Sequence, residues 1–376
     1  MSSSRPVRSQ WRQQWRKPMR TRDTHEPHRV ATPLELLFDL CFVVAIALTA
    51  QLLHHAITDG DVAHGIVAYL TVFFSVWWAW MNFTWFASAY DTDDVAYRLT
   101  TLVQIAGVLV LAAGVTDAFH GHFGTVTVGY VIMRAALVTQ WLRASSGDVA
   151  SRRTARRMAI GVSACMVGWG LILLTHGTLH LTLFLVMVAA ELAVPPWAER
   201  VHPTPWHPHH IAERYGLLFI IVLGEIVLST TLAVQAGFVQ DRLWWVAASG
   251  LVIVFAFWWL YFDQPAHELL VDNRHAFVWG YGHYVVFGSA AAIGAGIAVI
   301  VDRPDLSGAP VTIPVALLLM ALWALHLRPR TWLEPAAAAL VLAATFVGPS
   351  LIVTAAILSV LVAARLVVTR RRASAV

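Results

Sequence analysis

The chain has 376 residues, of which 58% are hydrophobic and only 13% are charged, and it contains 17 tryptophans. Such a composition would aggregate in water but suits a lipid bilayer, so it excludes a soluble globular protein. The sequence therefore predicts an all-α polytopic integral membrane protein whose first partner is the lipid bilayer, and it predicts no nucleic-acid partner.

The first element is a basic tail, residues 1–32. Eight of its first 30 residues are Lys or Arg, and they surround no apolar core, which argues against a cleavable signal peptide. We expect a solvated cytoplasmic tail. The alternative is a tail held at an anionic lipid surface by Trp11 and Trp15, which lie among the arginines.

Twelve apolar runs follow the tail. A hydrocarbon core of about 30 Å needs about 20 apolar residues per helix, and the polar interruptions cut the chain into twelve runs, of which the last three are short. With the amino terminus inside, the cytoplasmic segments collect 21 Lys and Arg residues and the external loops two, Arg242 and Arg303. The count predicts that both termini are cytoplasmic. The runs cover residues 34–57, 64–90, 98–118, 123–142, 158–175, 179–195, 211–236, 243–263, 275–301, 312–327, 332–347 and 350–369.

The chain also looks doubled. The start of the first helix reads ELLFDLCFVVAI and resembles the start of the seventh, ERYGLLFIIVLGE. Six helices per copy would insert both copies in the same direction, as in transporters built from parallel repeats; chance similarity between apolar helices is the alternative. We expect a first six-helix unit over 33–195, a Pro- and His-rich cytoplasmic linker without helix over 196–210, a second unit over 211–369 and a basic cytoplasmic tail over 370–376.

Two carboxylates lie one turn apart at the head of the first helix. Thr32, Pro33 and Glu35 match a capping box, in which the glutamate accepts from the backbone N–H of the capping residue. Asp39 lies one turn deeper, where every backbone amide already has a partner, and an aspartate inside a span costs about 3 kcal/mol. We expect capping from Glu35 and a buried partner or a functional role for Asp39, and we keep both in one candidate site.

Further polar residues fall inside the predicted helices. At about 1.5 Å per residue, four of them lie about 9 to 13 Å from the cytoplasmic ends of their helices and Glu225 lies about 22 Å in. We therefore predict a buried polar layer in which a small ion or solute could move. The four are Asn82, Gln104, Arg134 and His283.

Arg134 is the residue of this layer that most needs a partner. An arginine stays charged, so near the middle of a span it requires a carboxylate or a water cavity within reach, and Asp39 and Glu225 are the candidates. Arg214 lies eleven residues before Glu225 and shares its helix stripe. The alternative is a buried ion pair that fixes helix order and has no other role.

The loop after the second helix, YDTDDVAYR, places three acids on the side where positive charge is expected. Asp93 or Asp94 could cap the third helix, and Arg98 lies four residues beyond Asp94, the spacing of a helical ion pair. These roles explain two of the three acids. The alternative for the loop, with Asp91, is a vestibule that attracts cations or an oxygen-rich divalent site.

Several chemistries are excluded. Lys17 is the only lysine, so no helix can hold a Schiff-base chromophore. No HExxH, GxSxG or phosphate-binding glycine loop occurs. The histidines of the loops lack supporting carboxylates or thiolates and are expected to be solvated. We therefore predict no cofactor and no metal. Cys41 and Cys165 lie in apolar runs, where a small buried side chain is expected and a disulfide cannot be argued.

Three stretches resemble a known family. They read TPLELLFDLCFV, WFASAYDTDDVAYRL and HIAERYGLLFIIVLGE, and together they are similar to the signature blocks of the bacterial low temperature requirement protein A family, over about residues 30–300. The resemblance implies a protein of the bacterial inner membrane and brings no agreed biochemical activity. Where the family continues LGES, this chain has Ile226, which weakens any role for a hydroxyl beside Glu225. The matching positions are Glu35, Phe38, Asp39, Asp91, Asp93, Asp94, Arg98, Glu213, Arg214, Gly216, Gly224 and Glu225.

The function expected from these residues is transport. Acids, a histidine and an arginine in one layer favour a transporter or channel for a small ion or solute, with protons as the coupling ion and Asp39 and Glu225 as the titrating groups. The alternatives are a membrane-embedded enzyme acting on a lipid-linked substrate, for which the sequence shows no nucleophile, and a membrane scaffold or sensor. Nothing in the sequence argues against a homo-oligomer.

Overall fold

The structure, a computed structural model, describes residues 15–23, 26, 29–237, 242–328 and 330–373. In these ranges the regular structure is helical and no strand occurs, which confirms the predicted all-α class. Nine of the described helices are long and apolar enough to cross a membrane. The chain is therefore a polytopic membrane protein.

Thirteen α-helices follow one another in the described ranges, and twelve of them correspond to the twelve predicted runs. The additional helix, α4, has five residues and lies at the end of the third run. The first seven helices are α1 Pro33–Thr58, α2 Val62–Tyr90, α3 Val95–Ala113, α4 Val115–Phe119, α5 Gly124–Gly147, α6 Arg152–Ile172 and α7 Gly177–Glu199. The others are α8 Pro208–Gly237, α9 Arg242–Phe262, α10 Asn273–Asp302, α11 Ala309–Leu325, α12 Leu333–Ala343 and α13 Ser350–Ala373, with 3-10 turns at Ala266–Leu269 and Ala344–Phe346.

Three of the longer helices do not meet the requirements of a span. Helix α6 begins with RRTARR, whose arginines lower its hydropathy, while α11 and α12 have only 17 and 11 residues. A helix of 11 residues is about 16 Å long, half of a hydrocarbon core. The predicted number of twelve spans therefore stays a prediction.

The segment that was expected to contain no helix is helical at both ends. Helix α7 continues through Pro195 and Pro196 to Glu199, and α8 begins at Pro208. The expectation was wrong because a proline in the last turns of a helix removes single hydrogen bonds but keeps a helical φ, and because proline suits the first helical position. Only residues 200–207 between the two helices are irregular.

The described residues form two compact units that divide α1 and α2 between them. The first unit contains the described residues as far as Ala45 together with Ser75–Glu213, and the second contains Ile46–Phe74 together with the described residues from Arg214 onward. In the first unit α3 packs along α5, where Gly107 and Gly129 lie so close that a Cβ on either would overlap the facing backbone. Small residues allow such close packing between membrane helices.

The tail of the first unit is anchored at several points. The guanidinium of Arg29 is buried and donates to the carbonyls of Ser88 and Ala87 in the last turn of α2, the second at 2.6 Å. The backbone N–H of Arg22 donates to Ala89 at 3.0 Å and that of Lys17 donates to Asp94 at 2.6 Å. The expected free, solvated tail is therefore wrong for these residues, because unsatisfied carbonyls at a helix end attract cationic donors. Trp11 lies outside the described residues, and Trp15 is exposed.

The second unit is built on α10, the most buried of the candidate spans. Rings from α8, α9 and α10 pack around one another, and Phe219 stacks on Tyr261 with centroids 4.1 Å apart. Side chains on other helix faces are exposed and apolar, among them Phe255 at 63% and Val360 at 69% exposure. Apolar surface of this kind is stable only against lipid, so these faces contact the bilayer.

Candidate functional site

Glu35 has the capping role that its position predicts. Its carboxylate accepts from the backbone N–H of Thr32 at 2.8 Å, while Thr32 Oγ1 accepts from the N–H of Glu35 at 3.3 Å. The reciprocal pair is a capping box, and this prediction is confirmed. The same carboxylate lies 3.1 Å from the ring of buried His210 at the start of α8. Glu35 thus holds the start of α1 and also contacts a second helix of its unit.

Asp39 lies one turn deeper and is fully buried. Its Oδ1 accepts a hydrogen bond of 2.7 Å from the indole N–H of Trp80 on α2. A buried carboxylate needs such a donor, because burying an unpaired polar group costs free energy. The indole of Trp80 is therefore one buried partner of Asp39, as the sequence led us to expect.

Arg134 forms a buried ion pair with Glu191. Its guanidinium Nη2 lies 3.1 Å from Glu191 Oε2, and the two side chains are only 2% and 1% exposed. The acid that pairs with Arg134 is therefore neither of the two expected candidates, Asp39 and Glu225. The sequence analysis missed Glu191 because it ended the helix at Pro195, which placed this acid one turn from the helix end. Helix α7 continues to Glu199, so Glu191 lies two turns inside.

Among the described residues, four side chains donate to Glu191. Besides Arg134, these are the indole N–H groups of Trp78 at 2.9 Å and Trp169 at 3.0 Å and the hydroxyl of Tyr130 at 3.3 Å. Hydrogen bonds donated to a carboxylate favour its charged form. We name these five residues the Arg134–Glu191 centre. The carboxylate of Glu191 is thus the common acceptor of this centre.

Asn82 adds a further contact to this centre. Its Oδ1 accepts from Arg134 Nη1 at 3.2 Å, and its Nδ2 donates to the carbonyl of Trp78 at 2.7 Å. The structure thus brings together Asn82 and Arg134, two members of the predicted layer. A third member, Gln104, is buried on α3, and its Nε2 has no hydrogen-bond partner among the described residues.

A small cavity of about 30 Å³ reaches the centre. Tyr130 and Trp169, which both donate to Glu191, lie in its wall, and Phe123 and His180 lie at the ends of α5 and α7. A water molecule needs about 10 to 15 Å³ when volume is measured in this way, so the cavity can hold one or two. Water can therefore approach two of the donors of Glu191.

Each acid of the loop after α2 is paired with an arginine. Asp94 caps α3 by accepting from the N–H of Tyr97 at 2.7 Å, which confirms the capping prediction. The expected pair between Asp94 and Arg98 is wrong, because Asp94 pairs with Arg143 at 2.7 Å. Arg98 instead forms two hydrogen bonds with Asp93, at 2.7 and 2.8 Å.

Asp91 and Asp93 lie outside the candidate spans and have opposite environments. Burial, followed by the nearby charge of Glu35, raises the pKa of Asp91 above its ordinary value, although Arg22 lies 3.5 Å away. The hydrogen bond from Arg98 lowers the pKa of exposed Asp93. No group of three His, Cys, Asp or Glu side chains in the described ranges has a geometry suited to a metal ion.

The second unit contains the other predicted site residues. Arg214 is fully buried in the second turn of α8, and Glu225 lies half-buried near the middle of the same helix. The carboxylate of Glu225 forms no hydrogen bond or ion pair with another described residue. Gly294 of α10 lies against this point, and a Cβ there would approach the Glu225 carbonyl to 3.2 Å.

His283 belongs to a buried pair of histidines. Its Nδ1 lies 2.7 Å from the carbonyl of Trp279, so this nitrogen carries the proton and Nε2 is an acceptor when the ring is neutral. Two polar groups lie near Nε2, the hydroxyl of Tyr261 at 3.1 Å and His326 Nε2 at 3.0 Å, and its single lone pair can accept from either. The sequence analysis did not select His326, because it lies at the end of its helix and meets His283 only through folding.

The predicted site residues therefore fall into two groups, one in each unit. The prediction of a single common layer stays a prediction. The first group contains Glu35, Asp39, Asn82, Gln104 and Arg134, and the second contains Arg214, Glu225 and His283.

The chain belongs to the bacterial low temperature requirement A protein (LtrA) family, whose pattern it matches over residues 30–370. This match confirms the resemblance of the three sequence blocks. An uncharacterized protein, RA0937, of Rhizobium meliloti (strain 1021) is 27% identical over 272 residues, which are 68% of this chain and 65% of that protein. The chain thus spans slightly less than two thirds of this relative's length. No solved structure matches the chain.

Proposed function

We propose that this membrane protein moves a small ion or solute across the bacterial inner membrane, with protons as the coupling ion and Glu225 as the proton carrier. The observation that carries the proposal is the environment of Glu225. Its carboxylate is half-buried in a candidate membrane span and has no hydrogen-bond or charge partner among the described residues.

The charged and the neutral form of Glu225 differ in their free energy inside the membrane. A charged acid at the centre of a membrane helix costs about 2.5 to 3.5 kcal/mol, and no arginine or indole offsets this cost here. The neutral acid avoids most of it. While its surroundings are apolar, a carboxyl group in this position binds a proton. It releases the proton when water reaches it, and a proton carrier needs this cycle.

The other buried acids are less suited to this role. Glu191 accepts from four donors, and Asp39 accepts from Trp80, so hydrogen bonds stabilise their charged forms. In the proposal Arg134 keeps Glu191 ionised, and Asn82 with Gln104 and His283 lines the polar interior. Asp39 stays the second candidate for a titrating group.

Several further features belong to the same proposal. We place both termini in the cytoplasm and the six-helix units at residues 33–195 and 211–369, with the linker 196–210 and the tail 370–376 also cytoplasmic. The Arg134–Glu191 centre favours one alternative function, a scaffold or sensor without transport. A buried ion pair can fix the order of the helices and have no other role.

The test uses purified protein in liposomes that contain a pH-sensitive dye. Gradients of common cations and anions are imposed one at a time, and the internal pH is recorded. We expect at least one gradient to drive proton movement, and we expect Glu225→Gln to abolish it while the protein still inserts. Glu268→Gln is the matched control. It is the same substitution at an exposed position, in the 3-10 turn Ala266–Leu269.

Two results would overturn the proposal. The first is proton movement at the wild-type rate in Glu225→Gln. The second is the absence of any flux with every ion offered, which would favour the scaffold or sensor.

A further inference from the structure

An apolar groove runs along one side of the second unit. Its walls are the last turns of α1, the first half of α2, the middle of α10 and the start of α11, and its volume is about 540 Å³. Three of these four helices are candidate membrane spans, and the fourth is a shorter apolar helix. The groove therefore opens beside residues that contact lipid, such as Leu70 and Leu317, which are 46% and 50% exposed.

The polar groups in the groove walls are largely used within the protein. The hydroxyl of Tyr69 donates to the carbonyl of Gly288 at 2.6 Å, and the hydroxyl of Tyr284 donates to the carbonyl of Leu70 at 2.8 Å. These two tyrosines therefore present apolar rings to the groove. Most other wall residues are aliphatic. An occupant that suits these walls carries no polar atoms along its length.

The length of the groove matches one leaflet of a bilayer. On α2 the wall extends over the twelve residues from Val62 to Phe73, whose Cα atoms at the two ends are about 16 Å apart at a rise of about 1.5 Å per residue. Half of a hydrocarbon core is about 15 Å. The groove starts at the level of Gly60 and Ser307, in the loops that follow α1 and α10. It then continues toward the middle of the spans.

Polar and charged groups lie at this starting end. Arg303 forms two hydrogen bonds with Asp305 and a third, of 2.9 Å, with the carbonyl of Thr58, and His54 lies 2.9 Å from Asp302. This end therefore has the polarity of a bilayer interface, while the walls beyond it have the polarity of the hydrocarbon core. A lipid has the same order, with a polar head followed by an apolar chain.

We propose that the groove binds one acyl chain of a phospholipid, whose head lies at the α1–α2 loop. The site is separate from the residues of the proposed proton pathway named above, so it stands or falls independently of transport. The walls fit an apolar chain as long as one leaflet of the bilayer. The site therefore binds the acyl chain, and the head group stays in the interface.

The test uses a phosphatidylcholine with a photoreactive diazirine in the middle of one acyl chain. Wild-type protein is reconstituted in vesicles that contain a small fraction of this lipid, illuminated, digested and mapped by mass spectrometry. We expect the cross-links to concentrate on groove residues of α2 and α11. Cross-links spread evenly over exposed apolar positions, including Phe255 and Trp245, would show bulk lipid only and would overturn the proposal.

Substitutions give a second, matched measurement. Ile66→Trp together with Ile313→Trp places two indoles in the groove, and Val67→Trp is the control, because Val67 has the same 46% exposure as Ile66 but lies outside the groove walls. We expect a several-fold loss of groove cross-links in the filled variant and none in the control. Unchanged cross-linking in a filled variant that folds contradicts the proposal; if that variant does not fold, the wild-type map alone decides. A wild-type groove without cross-links also contradicts it, because another occupant would then exclude the chain.

Discussion

Glu191 and Glu225 lie in comparable apolar helices but in opposite surroundings. Glu191 accepts from an arginine, two indoles and a phenol, whereas Glu225 has no such donor among the described residues. Glu191 thus lies among hydrogen-bond donors, and the proposed function assigns the change of protonation state to Glu225. The account of function depends on this difference.

Loss of Arg134 tests how much the buried Arg134–Glu191 ion pair contributes to folding. Removing one partner of a buried ion pair leaves the other uncompensated, which typically costs about 3 to 5 kcal/mol. We expect Arg134→Met to lower the melting temperature in detergent strongly, and we expect the added change Glu191→Gln to recover part of it. Arg98→Met is the control, because the exposed pair of Arg98 and Asp93 is screened by solvent and its loss lowers the melting temperature only slightly.

Unfolding monitored by fluorescence during size-exclusion chromatography measures these melting temperatures. A melting temperature of Arg134→Met equal to that of the wild type would show that the pair contributes nothing to folding. Recovery by Asp39→Asn rather than by Glu191→Gln would assign a different acid to Arg134.

Asp91 and Asp93 make opposite predictions for the dependence of stability on pH. An acid whose pKa is raised by folding stabilises the protein while protonated, and this contribution is lost as the pH rises through the raised pKa. For Asp93 the pKa is lowered, so its contribution is present above the ordinary value of 3.8 and is lost as the pH falls through the lowered pKa. At pH 7 we expect Asp91→Asn to melt above the wild type and Asp93→Asn to melt below it.

Melting curves between pH 3 and pH 8 test this expectation. The difference between wild type and Asp91→Asn should grow as the pH rises, and the difference for Asp93→Asn should shrink as the pH falls. The same sign for both variants at pH 7 would contradict the assigned environments.

At the scale of single residues, local signals could be read from the sequence and tertiary ones could not. The capping roles of Glu35 and Asp94 follow from spacing along one helix, and both are confirmed. The partners of Arg134 and His283 lie on distant helices, so depth along a helix could not identify Glu191 or His326. A ruler of 1.5 Å per residue orders residues within a helix but does not say which helices pack together.

At the scale of elements, the apolar runs predicted the helices correctly, whereas the prolines led to a wrong prediction about where α7 ends. Each of the twelve runs contains a helix, because about 20 consecutive apolar residues leave the backbone no other way to satisfy its hydrogen bonds in lipid. Pro195 and Pro196 lie inside α7 all the same. The tail was expected to be free, because its arginines are typical of a segment exposed to solvent. Its attachment depends on unsatisfied backbone carbonyls at the end of α2, which the sequence does not reveal.

Arg29 holds this tail to the end of α2. Its guanidinium donates to the carbonyls of Ala87 and Ser88, so Arg29→Ala removes two charge-assisted hydrogen bonds. We expect this variant to fold but to be cleaved faster by trypsin after Arg16 and Arg22, whereas the bond after Lys17 precedes Pro18 and resists trypsin. Arg20→Ala is the control, because Arg20 is exposed.

Limited proteolysis followed by mass spectrometry of the released fragments measures the effect. Equal cleavage rates in Arg29→Ala, Arg20→Ala and wild-type protein would show that Arg29 does not hold the tail in place.

At the scale of the whole molecule, the direction of insertion follows from the loop charges. The cytoplasmic segments carry 21 Lys and Arg residues against two in the external loops if both termini are cytoplasmic. We therefore expect a cysteine at Ser307 to react with an impermeant thiol reagent in intact cells and a cysteine at Ala150 to react only after permeabilisation, since both positions are exposed. Both substitutions are made in a chain whose Cys41 and Cys165 are replaced by alanine. The reverse labelling pattern would invert the topology.

The central claim is that Glu225 changes its protonation state inside the membrane, and infrared difference spectroscopy of the reconstituted protein measures this directly. A pH step should produce a carboxyl C=O band of a protonated acid in an apolar site, and this band should be missing from the Glu225→Gln spectrum while it persists in Glu191→Gln and Glu268→Gln. A band that persists unchanged in Glu225→Gln, or the absence of any titrating carboxyl band in the wild type, would contradict the account.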